Sequence, residues 1–150
     1  MPTWEELRTG VYEIDGSWRD IYVLGATRED WRQWMTYPFR WAAEDHQDGQ
    51  QLDAIDVAYI ERRWDAGADA LTTLGSVFLE QVQLNCHFFA DTQIENDIDP
   101  SEIRSLEDHH RLMAYLVALS RALNKEVIVT AESCPECVCI RVNGPDIQFT

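Results

Sequence analysis

Residues 99–141 read DPSEIRSLEDHHRLMAYLVALSRALNKEVIVTAESCPECVCIR, and this run decides the fold. Asp99-Pro100-Ser101 is turn chemistry, and Ser105-Leu106-Glu107-Asp108 is a capping box that opens a helix. Leu112, Tyr115, Leu116, Leu119 and Leu123 recur at spacings of three and four, one apolar stripe over roughly three turns. Arg111, Ser120 and Arg121 fall outside that stripe. Asn124 accepts the left-handed conformation that closes a helix. Val127-Ile128-Val129 is then a β-branched run, and Val138, Ile140 and Val142 alternate with Cys137, Cys139 and Arg141. A helix followed by a hairpin turning at Cys134-Pro135-Glu136-Cys137 is expected.

Upstream, Thr3-Trp4-Glu5-Glu6 and Thr27-Arg28-Glu29-Asp30 are two further capping boxes. The first helix ends by Gly10. In the second, Trp31, Trp34 and Met35 share a face, and Tyr37-Pro38 stops the helix. Asp15-Gly16 between Val11–Ile14 and Ser17–Leu24 has the composition of a two-residue hairpin turn, so a β-hairpin is expected there. Tyr37, Phe39 and Trp41 alternate as in an edge strand, and Glu44 to Gln50 reads as a loop. Leu52, Ile55, Tyr59 and Ala66 mark a helical stripe. Val82, Leu84, Cys86 and Phe88 alternate with polar residues, and a second strand at Thr92–Ile98 can pair with them across Ala90-Asp91. Helices mixed with hairpins define an α+β fold, a mainly antiparallel sheet with about three to four helices packed on it.

At 150 residues the chain can bury roughly two thirds of its unfolded surface, which is enough for one domain. An apolar fraction of 45% with six Trp supports a packed core rather than a disordered chain. Against 12 Lys and Arg stand 27 Asp and Glu, a formal net charge of -15. That field repels nucleic acid and anionic lipid and draws cationic surfaces. No run approaches the ~20 apolar residues of a membrane span, and Met1-Pro2-Thr3-Trp4 has no leader character. A cytoplasmic location is expected, and with it reduced cysteines.

Cys134 and Cys137 have the spacing by which a turn offers two thiolates to zinc, with Cys139 close by. A second ligand pair is missing, because Cys86 and His87 diverge on a strand. A redox pair would favour the start of a helix, whereas this motif lies between strands. Ordinary reduced thiols in a hairpin turn are the simpler expectation. His109 and His110 diverge around a helix by about 100 degrees and read as cap or surface residues, and His46 and His87 stand alone. No G-x-S-x-G, P-loop, G-x-G-x-x-G or H-E-x-x-H pattern occurs.

Between Asp91 and Asp108 lie seven acidic residues and one basic residue, Arg104. On a strand over Thr92–Ile98, Glu95 and Asp97 share a face, and Asp99 continues the row. No D-x-D-x-D-G loop marks calcium. Solvated negative charge that discourages edge pairing explains such a row, and so does docking of a basic partner. The aromatics Trp18, Trp31, Trp34, Tyr37, Phe39 and Trp41 read mainly as core, with one or two left to anchor an interface.

Asp97-Ile98-Asp99-Pro100-Ser101-Glu102-Ile103-Arg104-Ser105, the long helix, and Val127-Ile128-Val129-Thr130-Ala131-Glu132 resemble the C-terminal part of small acidic bacterial proteins. Some of these are similar to immunity proteins, which cover a toxin's active site. The resemblance spans about a third of the chain, excludes the cysteine turn, and carries no binding residue across. It implies a non-enzymatic binding protein, an immunity-type inhibitor of a basic toxin such as a nuclease. The expected partner-binding residues, read from the acidic row itself, are Asp91, Glu95, Asp97, Asp99 and Glu102. The alternatives are a zinc- or thiol-dependent protein using Cys134, Cys137 and Cys139, or an enzyme whose pocket is assembled from distant residues.

Overall fold

The computed structural model describes residues 1–35, 41–45, 50–52, 57–67 and 73–150. Among the described residues, four α-helices and nine β-strands run in the order α1(Trp4–Thr9), β1(Arg19–Leu24), α2(Arg28–Met35), β2(Trp41–Asp45), β3(Gln50–Leu52), α3(Val57–Asp65), β4(Thr73–Leu79), β5(Val82–His87), β6(Gln93–Ile98), α4(Leu106–Leu123), β7(Val127–Ala131), β8(Val138–Asn143) and β9(Asp146–Phe149). All nine strands belong to one sheet, ordered β3-β2-β4-β5-β6-β1-β7-β8-β9, and every pairing is antiparallel. This is the expected α+β arrangement. No helix among the described residues is long and apolar enough to cross a membrane.

The helix starts form as their sequences dictate. Thr3 and Glu6 cap α1 reciprocally, and Thr27 and Asp30 do the same for α2. At α4 the Ser105 hydroxyl accepts from the Asp108 amide, while the Asp108 carboxylate reaches one residue further back, to the Arg104 amide. Asn124 ends that helix at φ 52°.

The apolar face of each helix enters one core against one side of the sheet. Leu7 of α1, Trp31 and Trp34 of α2, Ile60 of α3 and the Leu112–Leu123 stripe of α4 pack with Ile21, Val23, Leu84, Ile94, Ile98, Val129 and Ile140. Trp31 lies 5.4 Å from the rings of both Trp64 and Phe88, and Trp34 meets Tyr115 edge-on at 5.3 Å. The aromatic-rich first quarter of the chain is thus largely core at Trp31 and Trp34, while Trp18 is partly exposed.

Several expectations change. Val11–Leu24 is not a hairpin: only Arg19–Leu24 is a strand, and it lies between β6 and β7. The buried Arg19 guanidinium donates to the carbonyls of Val11 (2.7 Å), Glu13 (3.0 Å) and Trp18 (3.0 Å), which holds residues 11–18 as a loop around one cation. Asp15 folds its own carboxylate onto Ser17, so Asp15-Gly16 makes a local turn without pairing two strands. Within the expected loop Glu44–Gln50, Glu44 and Asp45 end β2 and Gln50 begins β3. Leu52 is in β3 rather than on a helix, and α3 begins at Val57. Ile55 and the alternation at Tyr37 and Phe39 lie outside the described residues. Ser120 is buried, its hydroxyl donating to the Lys125 carbonyl and accepting from the Gly144 amide. His109 is buried as well, sharing a 2.7 Å hydrogen bond with Tyr12; burial, then the neighbouring His110, lowers its pKa to about 4, so it is neutral in the fold.

Replacing Arg19 by Met removes the donor for the buried Val11 carbonyl and the partly buried Glu13 and Trp18 carbonyls, so Arg19→Met is expected to lose about 2–4 kcal/mol in urea unfolding. Amide exchange should accelerate across residues 11–18 first; unchanged protection there would show that the loop is held by something else.

Candidate binding face

Because side chains alternate along a strand, the sheet has a second face turned away from the helices. Strand register fixes what meets there. Asn85 is opposite Asp97, Asp97 opposite Asp20, and Asp20 opposite Thr130. In the adjacent row His87 is opposite Glu95, Glu95 opposite Tyr22, and Tyr22 opposite Ile128. Three carboxylates, one imidazole and one phenol are therefore set on three neighbouring strands, β5, β6 and β1, by backbone pairing alone.

Hydrogen bonds order this face. Gln83 donates to Asn85 (3.0 Å), Asn85 donates to one oxygen of Asp97 (2.9 Å), and the His87 Nε2 bonds the other at 2.5 Å. Asp20 is buried and its Oδ2 accepts from the Tyr22 hydroxyl (3.0 Å) and from the Ser133 amide (2.7 Å). The Ser133 bond draws the β7–β8 loop over the centre of the sheet, where Tyr22, Ile128 and Thr130 are also buried. Beyond the polar rows the surface becomes apolar and open. Phe89, 45% exposed, stacks on His87 at 4.9 Å, and Leu24, 50% exposed, sits opposite Gln93.

Burial and charge crowding together shift the titratable groups on this face. Burial, and then the Asp20 carboxylate, raise the pKa of Glu95 above its ordinary value. For His87, burial works against the cation, but Asp97 at its Nε2, helped by Glu95 and Asp20, outweighs it and the pKa rises. Burial and Asp20 raise the Tyr22 phenol, keeping it a proton donor to that carboxylate. The Asp97–His87 pair has the geometry of a base and its orienting acid, but no Ser, Thr or Cys hydrogen-bonds the imidazole among the described residues. The face can hold a proton and attract a cation.

Two of the five expected partner-binding residues, Glu95 and Asp97, lie on this face together. The other three are engaged in the fold. Asp91 binds Arg28 (2.9 Å), which also holds Asp65 (2.8 Å). Asp99 does not continue the row: its carboxylate accepts from the Ser101 amide (2.9 Å) and caps a 3-10 turn at Pro100–Glu102. Glu102 accepts from the Gln83 amide at 3.2 Å. Sequence reasoning left out Asp20 and Tyr22, because the supposed hairpin gave β1 the wrong partner. His87 does not stand alone: as the period-two pattern of Val82–Phe88 implies, it lies beside Asn85, on the face of Glu95 and Asp97. His46 lies outside the described residues.

The cysteines also differ from expectation. Cys134 and Cys137 are joined by a disulfide rather than reduced, whereas Cys139 is free. Pairing of Thr130 with Val138 but of Val129 with Ile140 leaves Cys139 in a β-bulge, and its side chain packs against the core. It therefore does not join the two turn cysteines. Two cavities of about 530 and 520 Å³ lie elsewhere, one bordered by Trp4, Arg8, Tyr12 and Arg104, the other by Phe78, Glu80 and Arg111. Neither is lined by a residue of the two polar rows.

No family model, no curated protein and no solved structure matches this chain.

The raised His87 pKa stabilises the fold fully below the unfolded value of about 6.5 and ceases to do so as pH rises through the folded value. His87→Gln is thus expected to cost more stability at about pH 5.5 than at about pH 9. Urea unfolding at both pH values checks this, and an equal cost at the two would refute the His87–Asp97 coupling.

Proposed function

We propose that this protein is a non-enzymatic binding protein that receives a basic protein surface on the open face of its sheet, as an immunity-type inhibitor of a basic toxin would. The observation that carries the reading is the placement of Asp20, Glu95 and Asp97 side by side, with the His87 imidazole beside them, while Arg141, further along the row next to Ile128, is already paired with Glu126. Burial and a neighbouring carboxylate both oppose the charge on Glu95, so an incoming Arg or Lys favours its ionised form. Phe89 and Leu24 supply adjacent apolar area of the kind that anchors an interface once water is excluded. The net charge of -15 steers a cationic partner from a distance, and the face fixes where it lands. Nucleic acid and membrane are disfavoured as partners by the same field.

A synthetic Arg/Lys-rich peptide distinguishes this face from general attraction to an acidic protein. Neutralising the face with Glu95→Gln and Asp97→Asn should weaken peptide binding at least about tenfold, or ~1.4 kcal/mol. A variant with the same charge change at exposed positions elsewhere, Glu13→Gln and Asp146→Asn, should lose less than about twofold, and added salt should weaken both. Equal losses in the two variants would sink the proposal.

A further inference from the structure

The turn between β7 and β8 brings three donor side chains together. With the Cys134–Cys137 disulfide formed, the two sulfurs and the Glu136 carboxylate all lie within 4.8 Å of one another. The turn is built to hold them: the Cys134 amide donates to the Ala131 carbonyl (3.2 Å), the Cys137 amide to the Cys134 carbonyl (2.9 Å), and the Ala131 amide to the Cys137 carbonyl (3.1 Å). Pro135 fixes one backbone angle inside it, which lowers the entropy lost when the donors are arranged about an ion. Glu136 and Cys137 are exposed and Cys134 is partly so, leaving the outward side open to solvent.

We infer that the reduced turn is a redox-gated site for a thiophilic divalent cation of the zinc class, bound by the two thiolates of Cys134 and Cys137 and the Glu136 carboxylate. In the oxidised form the two sulfurs are bonded to each other and offer no thiolate. An external dithiol reduces them: its two thiols transfer two electrons and two protons, the Cys134–Cys137 bond breaks, and the reductant leaves as its own disulfide. The cation then displaces the two thiol protons to water and forms two metal–sulfur bonds and one metal–oxygen bond. Two soft thiolates with one carboxylate select zinc or cobalt over calcium and magnesium, and three protein ligands leave a fourth, outward position for water. Glu136 takes the place that spacing alone gave to Cys139, which the bulge turns to the core. The inference uses none of the groups on the two polar rows, so it stands or falls apart from the proposed function.

Cobalt titration tests it on the full chain, oxidised and after reduction with a dithiol and anaerobic desalting. The reduced protein should take up one equivalent of Co²⁺ with thiolate-to-cobalt charge-transfer absorption, and the oxidised protein should show none. Cys134→Ser should abolish the absorption. Glu136→Gln should lower affinity about tenfold or more, while Cys139→Ser leaves it unchanged. Far-UV circular dichroism identifies any variant that fails to fold. If Cys134→Ser does, the comparison of Glu136→Gln with Cys139→Ser decides. Absence of the absorption in the reduced wild type, an equal response from the oxidised protein, or full affinity in Glu136→Gln would overturn the inference.

Discussion

The insertion of β1 between β6 and β7 is the constraint on which the rest depends. A strand from residues 19–24 pairs with segments some seventy and more than a hundred positions later, closing the two halves of the sheet around itself. Its helix-side residues, Ile21 and Val23, are fully buried in the core, and Asp20 and Tyr22 are almost as buried on the other side. A strand in that position needs both backbone edges satisfied and both faces covered. The helices cover one face; the β7–β8 loop, tied down by the Ser133 amide on Asp20, covers part of the other. The same insertion sets Asp20 and Tyr22 in register with Asp97 and Glu95, so the topology and the candidate face have one origin.

That register has an electrostatic consequence. Above about pH 4.5 the ionised Glu95 works against folding, because its pKa in the fold is raised by burial and by Asp20. Packing for stability alone would place a neutral or cationic group there. Asp97 is compensated by His87 and Asn85, and Asp20 by Tyr22 and Ser133, which leaves Glu95 as the member of the rows whose charge is least offset. Among the described residues its side-chain donor is Gln93 at 3.2 Å, a neutral amide. An external cation would complete the arrangement.

Local chemistry was legible wherever it was also decisive. The capping residues at Thr3, Thr27 and Ser105, the α4 stripe, the Asn124 stop and the alternation of Val82–Phe88 all appear in the fold where their sequences place them, because each depends on neighbours within four residues. Asp15-Gly16 misled because a correct local turn was read as a strand pairing. The competing interaction was the buried Arg19 gathering carbonyls from a loop, which no periodicity reveals. Cys139 followed the alternation of its strand on paper, yet a one-residue bulge moved it to the core side. At the candidate face, Glu95 and Asp97 were legible from strand period, whereas Asp20 needed the strand order. Asp91, Asp99 and Glu102 looked free only because Arg28 and the amides of Ser101 and Gln83 are distant or main-chain partners.

Glu95 is the carboxylate of the rows whose charge is least offset, and under the proposed function a cationic partner relieves it. Carbon-detected NMR titration of the Glu95 carboxyl measures this directly, in the free protein and with a saturating Arg/Lys-rich peptide. The account predicts a pKa above the ordinary glutamate value in the free protein and a fall toward or below that value when the peptide is bound. An ordinary pKa in the free protein, or no change on peptide binding, would contradict it.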